Sequence, residues 1–572
     1  MAAPDRAEAI RLDHLSFAYA DQDDLALRDI VLTVALGEMV TVMGATGAGK
    51  TTLAKCLNRT VPAFQPGRLT GSIRILGQPL QAQGVADMAG IVGLVSQDFE
   101  AQLFATNVVQ EVVFGMEQLG VPPDEMRRRA PRALAAVGLQ GFEQRDPSTL
   151  SGGEKQRLAI AATLALQPRI LVFDEPTTDL DPLGKLEIFA VLAAMRREGY
   201  TLVVIEHEIA AAEQADRLII MSKGRIVCDD TPATVLARAD FLLQHGVRPP
   251  DRSRVAQAFG LQGATSLDET EAALRARWNP AQQANAAVIS ANPTNTPATN
   301  DLSSTPLVEA QSLAFHYESG AAALTDVSLR IAARDFIALI GQNGSGKTTL
   351  AKHLNGLLHP QSGRVQLFGR DLRDLPMNTV AADVGYVFQN PDHQIFAATV
   401  LDEVAFGPHN FALGRAEAAE RVHSALEAVG LLGLEAADPF LLGKGERQRL
   451  AVASLLAMRP RLLILDEPTT GLDYDEQRRM MDLLARLHSQ GMAILIITHS
   501  PWVVAEYAER GVLMSAGRVL FDGPLRDLFA EDALLARAHF HAPEITRLGR
   551  RFGFTPLSVE EFANAIGDKQ HA

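Results

Sequence analysis

The sequence predicts an α/β protein of two tandem phosphate-loop units, each with a parallel-sheet core. Three observations predict it. The chain repeats itself, each repeat sets a glycine-rich segment between a strand-like and a helix-like run, and each carries a second apolar run ending in two adjacent acids. Its 572 residues exceed what one core usually organises, and at about 150 residues per domain three to four compact units are expected.

The repeat fixes the architecture. GATGAGKTTLAKCLN (44–58) matches GQNGSGKTTLAKHLN (341–355), and LSGGEKQRLAIAATLALQPRILVFDEPTTDLD (150–181) matches LGKGERQRLAVASLLAMRPRLLILDEPTTGLD (442–473). The offset is 297 residues at Lys50 and Lys347, then 292 at Gln97 and Gln389, Gly153 and Gly445, Asp174 and Asp466, and His207 and His499. Each copy also carries a tail: residues 242–260 resemble 537–554 in apolar spacing and in a proline ahead of a short helical pattern. The expected organisation is a core at 1–228 with an appendage at 229–280, a linker at 281–306, a second core at 307–522 and a second appendage at 523–572. The linker, rich in Ala, Asn, Thr, Ser and Pro, has one charge, Asp301. As a flexible coil it spans about 30 Å, enough for the copies to dock face to face.

Composition narrows the function classes. Lys and Arg number 53 against 68 Asp and Glu, a net charge of −15, which repels nucleic-acid phosphates. No run approaches the roughly 18 apolar residues needed to span a bilayer. The start, with Asp5, Arg6 and Glu8, has no apolar signal region and predicts a chain that is not secreted. Cys56 and Cys228 make no metal or redox spacing and fit a reducing compartment.

Each phosphate loop follows an apolar run, MVTVM (39–43) or FIALI (336–340), and opens a helix-like run. Gly44, Gly47 and Gly49, like Gly341, Gly344 and Gly346, allow the tight backbone whose N–H groups face phosphate oxygens. Lys50 and Lys347 are expected to neutralise the β- and γ-phosphates, and the hydroxyls of Thr51 and Thr348 to ligate Mg²⁺. Ala45, Thr46, Ala48 and Thr52 complete the first candidate ATP cradle; Gln342, Asn343, Ser345 and Thr349 complete the second. Farther on, RILVFDEP (169–176) and RLLILDEP (461–468) deliver carboxylates to the C-terminal ends of buried strands, where ligands sit in open parallel sheets. Asp174 and Asp466 are placed in the Mg²⁺ shell, and Glu175 and Glu467 are placed to polarise the water that attacks the γ-phosphate.

Leu150–Arg157, LSGGEKQR, sets Ser151, Gly152 and Gly153 at a helix start, where a hydroxyl and the helix dipole can meet a γ-phosphate. Ser151 and Glu154 alone also make a capping box. With the phosphate loops and the DEP motifs, this segment resembles the signature of ABC-type ATPases, over nearly all of both halves. The resemblance implies tandem P-loop NTPase domains, each with a parallel-sheet core, an antiparallel β part, a helical subdomain and a small helical appendage. It implies that Tyr19 and Tyr317 stack on adenine, and that Gln97 and Gln389, each followed five positions on by Gln102 or Gln394, reach Mg²⁺, the attacking water and a membrane partner. It further implies that Asp181 and Asp473 communicate between two sites, and that His207 and His499, each 33 residues past its Asp, contact the γ-phosphate.

One departure stands out. Where the first copy reads LSGGE, the second reads Leu442, Gly443, Lys444, Gly445 and Glu446: the hydroxyl is gone, and a long cation occupies a position of close backbone approach. In ABC ATPases the halves pair head to tail, each nucleotide lying between one phosphate loop and the other half's signature. That arrangement sets Lys347, Asp466, Glu467 and His499 against the intact signature and makes the Lys347 site the more dependable hydrolytic one.

VFQNPDHQIFAATVLDEVAFGP (387–408), its partner VSQDFEAQLFATNVVQEVVFG (95–115) and the appendages are similar to the paired ATPases of energy-coupling factor importers of vitamins or transition-metal ions. The resemblance implies a peripheral protein on the cytoplasmic face of the cell membrane. Grooves near the two glutamines would receive coupling helices of a transmembrane subunit, which engages an integral substrate-binding subunit. The fused ATPase of an ordinary importer fed by a periplasmic or surface binding protein is the runner-up. A soluble ABC ATPase acting on nucleic acid or ribosomes is disfavoured by the acidic balance and by a linker without a charged arm.

Overall fold

The computed structural model describes residues 7–20, 24–80, 84–261, 263–277, 305–317 and 322–566. All but the last two residues of the linker expected at 281–306 therefore lie outside the described residues. The chain divides into two compact units, Met1–Arg254 and Val255–Ala572.

The first unit is built on a six-stranded sheet in the spatial order Arg225–Asp230, Arg217–Ser222, Met39–Met43, Thr201–Ile205, Ile170–Asp174 and Val92–Val95. Its neighbours run parallel except at the edge, where Arg225–Asp230 is antiparallel. The runs MVTVM, ILVFD and TLVVI are buried at every position, as strands covered on both faces must be. Side chains alternate between two cores: Ile170 and Val172 enter one, Leu171 and Phe173 the other. The first core binds the sheet to the helix Lys50–Leu57 and to an antiparallel sheet ordered Leu27–Ala35, Glu8–Tyr19, Gly67–Ile75 and Gln78–Pro79. The second binds it to the helices Val108–Gln118, Pro123–Ala136 and Gly152–Ala165.

The second unit repeats this plan, with the sheet order Val384–Val387, Leu462–Asp466, Ala493–Ile497, Phe336–Ile340, Arg510–Ser515 and Arg518–Pro524. Its helical layer is Val400–Asn410, Arg415–Val429 and Lys444–Leu456. The expected parallel core, antiparallel part and helical subdomain are thus present in both copies.

The last strands run two residues past the core ends expected at 228 and 522, to Asp230 and Pro524. Short helices follow in both appendages. The distal part of the first appendage belongs to the second unit. There Val255 and Leu274 share a core with Ile545, Leu548, Phe552, Phe554 and Phe562, and Arg551 pairs with Asp268 and Glu271.

Candidate functional site

In each unit the parallel sheet delivers four loops to one edge, because its strands all end there: the phosphate loop, the segment after Asp-Glu, the segment holding the histidine, and the glutamine segment. The phosphate loops demand glycine. Gly44 and Gly49 have φ of 149° and 96°, and a Cβ on them would lie 2.2 Å from the Met221 carbonyl oxygen and 2.5 Å from that of Ala26. Gly341 and Gly346 repeat the arrangement against Met514 and Ala323.

The buried Lys50 ammonium donates to the carbonyls of Gly44 at 2.7 Å and Ala45 at 3.0 Å; Lys347 donates to those of Gly341 at 2.7 Å and Gln342 at 2.8 Å. Thr51 Oγ1 donates to Asp174 at 3.2 Å, and Thr348 Oγ1 to Asp466 at 2.8 Å. Glu175 and Glu467 both take φ of 52°, a left-handed backbone held by N–H bonds to Ile205 and Ile497 at 2.9 Å. Such strain persists where surroundings impose it, commonly at functional sites. Glu175 meets His207 Nε2 at 3.0 Å and accepts from Gln97 at 2.9 Å and Thr178 at 3.2 Å. Glu467 meets His499 Nε2 at 3.0 Å and accepts from Thr470 at 3.3 Å, while the same histidine nitrogen lies 3.1 Å from Asn343 Oδ1.

Burial, reinforced by the charge of Glu175, pushes the Asp174 carboxyl up to about 6. Burial acts on Glu175 too, but the hydrogen bond and charge of His207, with Lys50, outweigh it and leave that carboxyl below its ordinary value. Burial also raises Asp466, opposed by the hydroxyls of Thr348 and Tyr386.

Among the described residues, no hydrogen bond ties the remaining candidates to the carboxylates of this cluster; most have local partners of their own. Tyr19 and Tyr317 tie their hydroxyls to Thr52 at 3.1 Å and Thr349 at 3.0 Å, on the helices that begin at Lys50 and Lys347. Gln389 is exposed, unlike the half-buried Gln97. Gln102 and Gln394 close their loops, accepting from the backbone of Ser96 at 3.3 Å and Phe388 at 3.4 Å. Asp181 and Asp473 cap the helices Pro182–Arg197 and Tyr474–Ser489. Ser151 bonds within its own capping turn, accepting from the Glu154 N–H at 3.3 Å while its own N–H donates to the Glu154 carboxylate at 2.7 Å. The second signature keeps only the Gly443 N–H bond to Glu446, at 2.9 Å, since glycine has no side chain to return it. Gly152, Gly153 and Lys444 are half-buried at these helix starts.

Two features escape motif reading. Tyr386 donates to Asp466 at 3.0 Å, whereas the first copy has Leu94 at that register; the polar-for-apolar exchange within a buried strand is the signal that could have found it. Glu206, only 2% exposed, accepts from Thr177 and His207, and its counterpart in the second copy is Thr498.

The geometry fits a nucleotide phosphate chain: a buried ammonium, a backbone cradle that a Cβ would fill, and in the second loop a buried Ser345 hydroxyl without a hydrogen-bond partner among the described residues. The paired Thr and Asp oxygens suit a hard cation. Among the described residues no group of three or more His, Cys, Asp or Glu is placed to hold a metal alone. No helix among them is long and apolar enough to cross a membrane.

The chain is similar to known proteins. The ABC transporter family matches residues 27–178 and 324–470. An ABC transporter ATP-binding protein of Caldanaerobacter subterraneus subsp. tengcongensis is 44% identical over 96% of this chain and 97% of its own length. One from Methanosarcina acetivorans is 39% identical over 95% of this chain and 90% of its own. Among solved structures, cbiO1 from Clostridium perfringens, described as part of the ABC transporter complex cbiONQ, is 33% identical over 43% of this chain and 100% of its own, with a TM-score of 0.39.

Proposed function

The chain belongs to the ABC transporter family, as an ATPase subunit with two ATP-binding domains, and from that premise we propose that it powers a membrane importer of energy-coupling factor type. The cargo class is a vitamin, a vitamin precursor or a metal ion. The observation that carries the reading is a pair of exposed aromatics repeated in both units. Phe104 packs edge-on against Phe114 at 4.5 Å and Phe396 against Phe406 at 4.7 Å, with Phe104 and Phe396 62% and 60% exposed. They lie a few residues beyond Gln97 and Gln389, where the family resemblance locates coupling-helix grooves, and paired apolar patches of this kind suit a protein partner. The −15 net charge of the chain as a whole disfavours a nucleic-acid partner.

In this reading Mg²⁺, when bound, would neutralise charge on the transferring phosphoryl group, and the chain positions everything else. Lys50 and Lys347 exchange loop carbonyls for phosphate oxygens. Thr51 with Asp174, and Thr348 with Asp466, would hold the cation, and Gln97 and Gln389 would reach toward it. Glu175 and Glu467 take the proton of the attacking water, and His207 and His499 hold those carboxylates and face the γ-phosphate. The two units pair head to tail, so that the Lys347 site meets Ser151 and the Lys50 site meets Gly443 and Lys444.

The test is extraction of the native complex in mild detergent and identification of its partners. A transmembrane subunit together with a small integral substrate-binding protein is the expected result. A soluble binding protein that stimulates ATP hydrolysis points instead to the other importer class. Absence from membranes with stimulation by DNA or ribosomes overturns the transport reading.

A further inference from the structure

Glu206 stands immediately before His207, and it is a carboxylate sealed into the first unit. Both of its oxygens are engaged. Oε1 accepts from the Thr177 N–H at 3.1 Å and the Thr177 hydroxyl at 2.5 Å; Oε2 accepts from the N–H groups of His207 at 2.9 Å and Glu208 at 3.3 Å. The side chain therefore bridges the histidine segment to the one that runs from Glu175 through Asp181. A second tie lies beside it, an ion pair between Glu208 and Lys185 on the helix that Asp181 caps.

The second unit has different chemistry at three of these positions. Thr498, Ser500 and Gln477 stand in place of Glu206, Glu208 and Lys185, while Thr177 keeps its counterpart in Thr469. The Thr498 hydroxyl accepts the Ser500 N–H at 3.1 Å, and Gln477 donates to the Leu472 carbonyl at 2.9 Å, both short-range bonds within their own segments. A hydroxyl offers neither the reach nor the two separate acceptors of a carboxylate, and a Ser–Gln pair cannot form an ion pair.

We infer that Glu206 is a positioning residue, which with the Glu208–Lys185 pair locks His207 to the 177–185 segment so that the Lys50 site holds its nucleotide and the Lys347 site exchanges it. Charge-assisted bonds made in a buried setting are among the strong ones, and a segment held by them opens locally less often than one held by short-range bonds alone. Nucleotide release that needs the histidine segment to move relative to the 177–185 segment must first break this bridge. The inference rests on the reading that the two phosphate loops bind ATP.

The test measures release of a fluorescent ATP analogue with Mg²⁺ from the full chain, with Lys347→Ala confining binding to the Lys50 site. Glu206→Gln keeps the shape of the side chain but removes one of its acceptors, so a space-filling role leaves release unchanged and the bridging role speeds it several-fold. Lys185→Gln, a partly exposed change that leaves the core intact, is expected to speed it as well, to a smaller extent. The reciprocal graft Thr498→Glu, Ser500→Glu and Gln477→Lys in a Lys50→Ala background is expected to slow release from the Lys347 site. Intact binding with unchanged release in Glu206→Gln overturns the inference alone. Absence of binding in both single-site backgrounds overturns the ATP reading and the inference with it.

Discussion

Replacing Glu467 with glutamine keeps the side chain's volume and its contacts with His499 and Thr470 but removes the base. A positioned general base contributes about 10²–10⁴ in rate, so turnover at that site should nearly vanish. How much total turnover falls depends on how unequal the two sites are. The first signature offers the Ser151 hydroxyl, whose lone pair accepts the Glu154 N–H and whose proton can still be donated; Gly443 offers none. A hydrogen bond to a charged group contributes about 1.5–3 kcal/mol, or about ten- to a hundredfold in rate. In the head-to-tail pairing proposed above, the Lys347 site therefore carries more than about nine tenths of turnover. Phosphate release by the assembled complex at saturating ATP should fall by about that fraction in Glu467→Gln and by about a tenth or less in Glu175→Gln. Equal losses in the two variants refute the reasoning, and so does a larger loss in Glu175→Gln.

Three further outcomes follow from the same geometry. Gly346→Ala sets a Cβ 2.4 Å from the Ala323 carbonyl oxygen at φ of 99°; a strain of about 1–3 kcal/mol should weaken ATP binding at the Lys347 site by about five- to a hundredfold and lower the melting temperature, read by equilibrium binding and calorimetry. Phe562→Ala empties a fully buried position stacked on Phe554 and should cost about 3–5 kcal/mol, whereas Arg551→Ala, whose partners Asp268 and Glu271 are partly solvated, should cost less than about 1 kcal/mol and less still in salt. Burial pushes the Cys56 thiol up to about 12, so it stays neutral at pH 8. A thiol-specific reagent should then label the half-buried Cys228 in the native chain and both cysteines in denaturant.

What could be read from the sequence was whatever is contiguous. The phosphate loops, the DEP motifs and the signature each pack their chemistry into a few consecutive residues between patterned apolar runs, and the repeat, in one register from Gln97 onward, doubled most of the observations. The bond from Tyr386 to Asp466 joins residues 80 apart, and the bridge from Glu206 to Thr177 joins residues 29 apart. Neither can be seen until the order of strands in the sheet is known. Both were marked all the same, as places where the two copies disagree, Tyr386 against Leu94 in polarity and Glu206 against Thr498 in charge. Motif comparison looks for agreement and passes over them.

The packing of Val255 and Leu274 among the C-terminal helices means that the repeat in the sequence and the partition in space do not coincide. A gene split at the end of the first repeat would separate one wall of a hydrophobic core from the rest, leaving Phe552 and Phe562 more open to water in one product and Val255 and Leu274 unpaired in the other. Two such half-chains would carry the means to find each other again. Fusion of the copies thus secures in a single molecule a pairing that this core could enforce between separate ones.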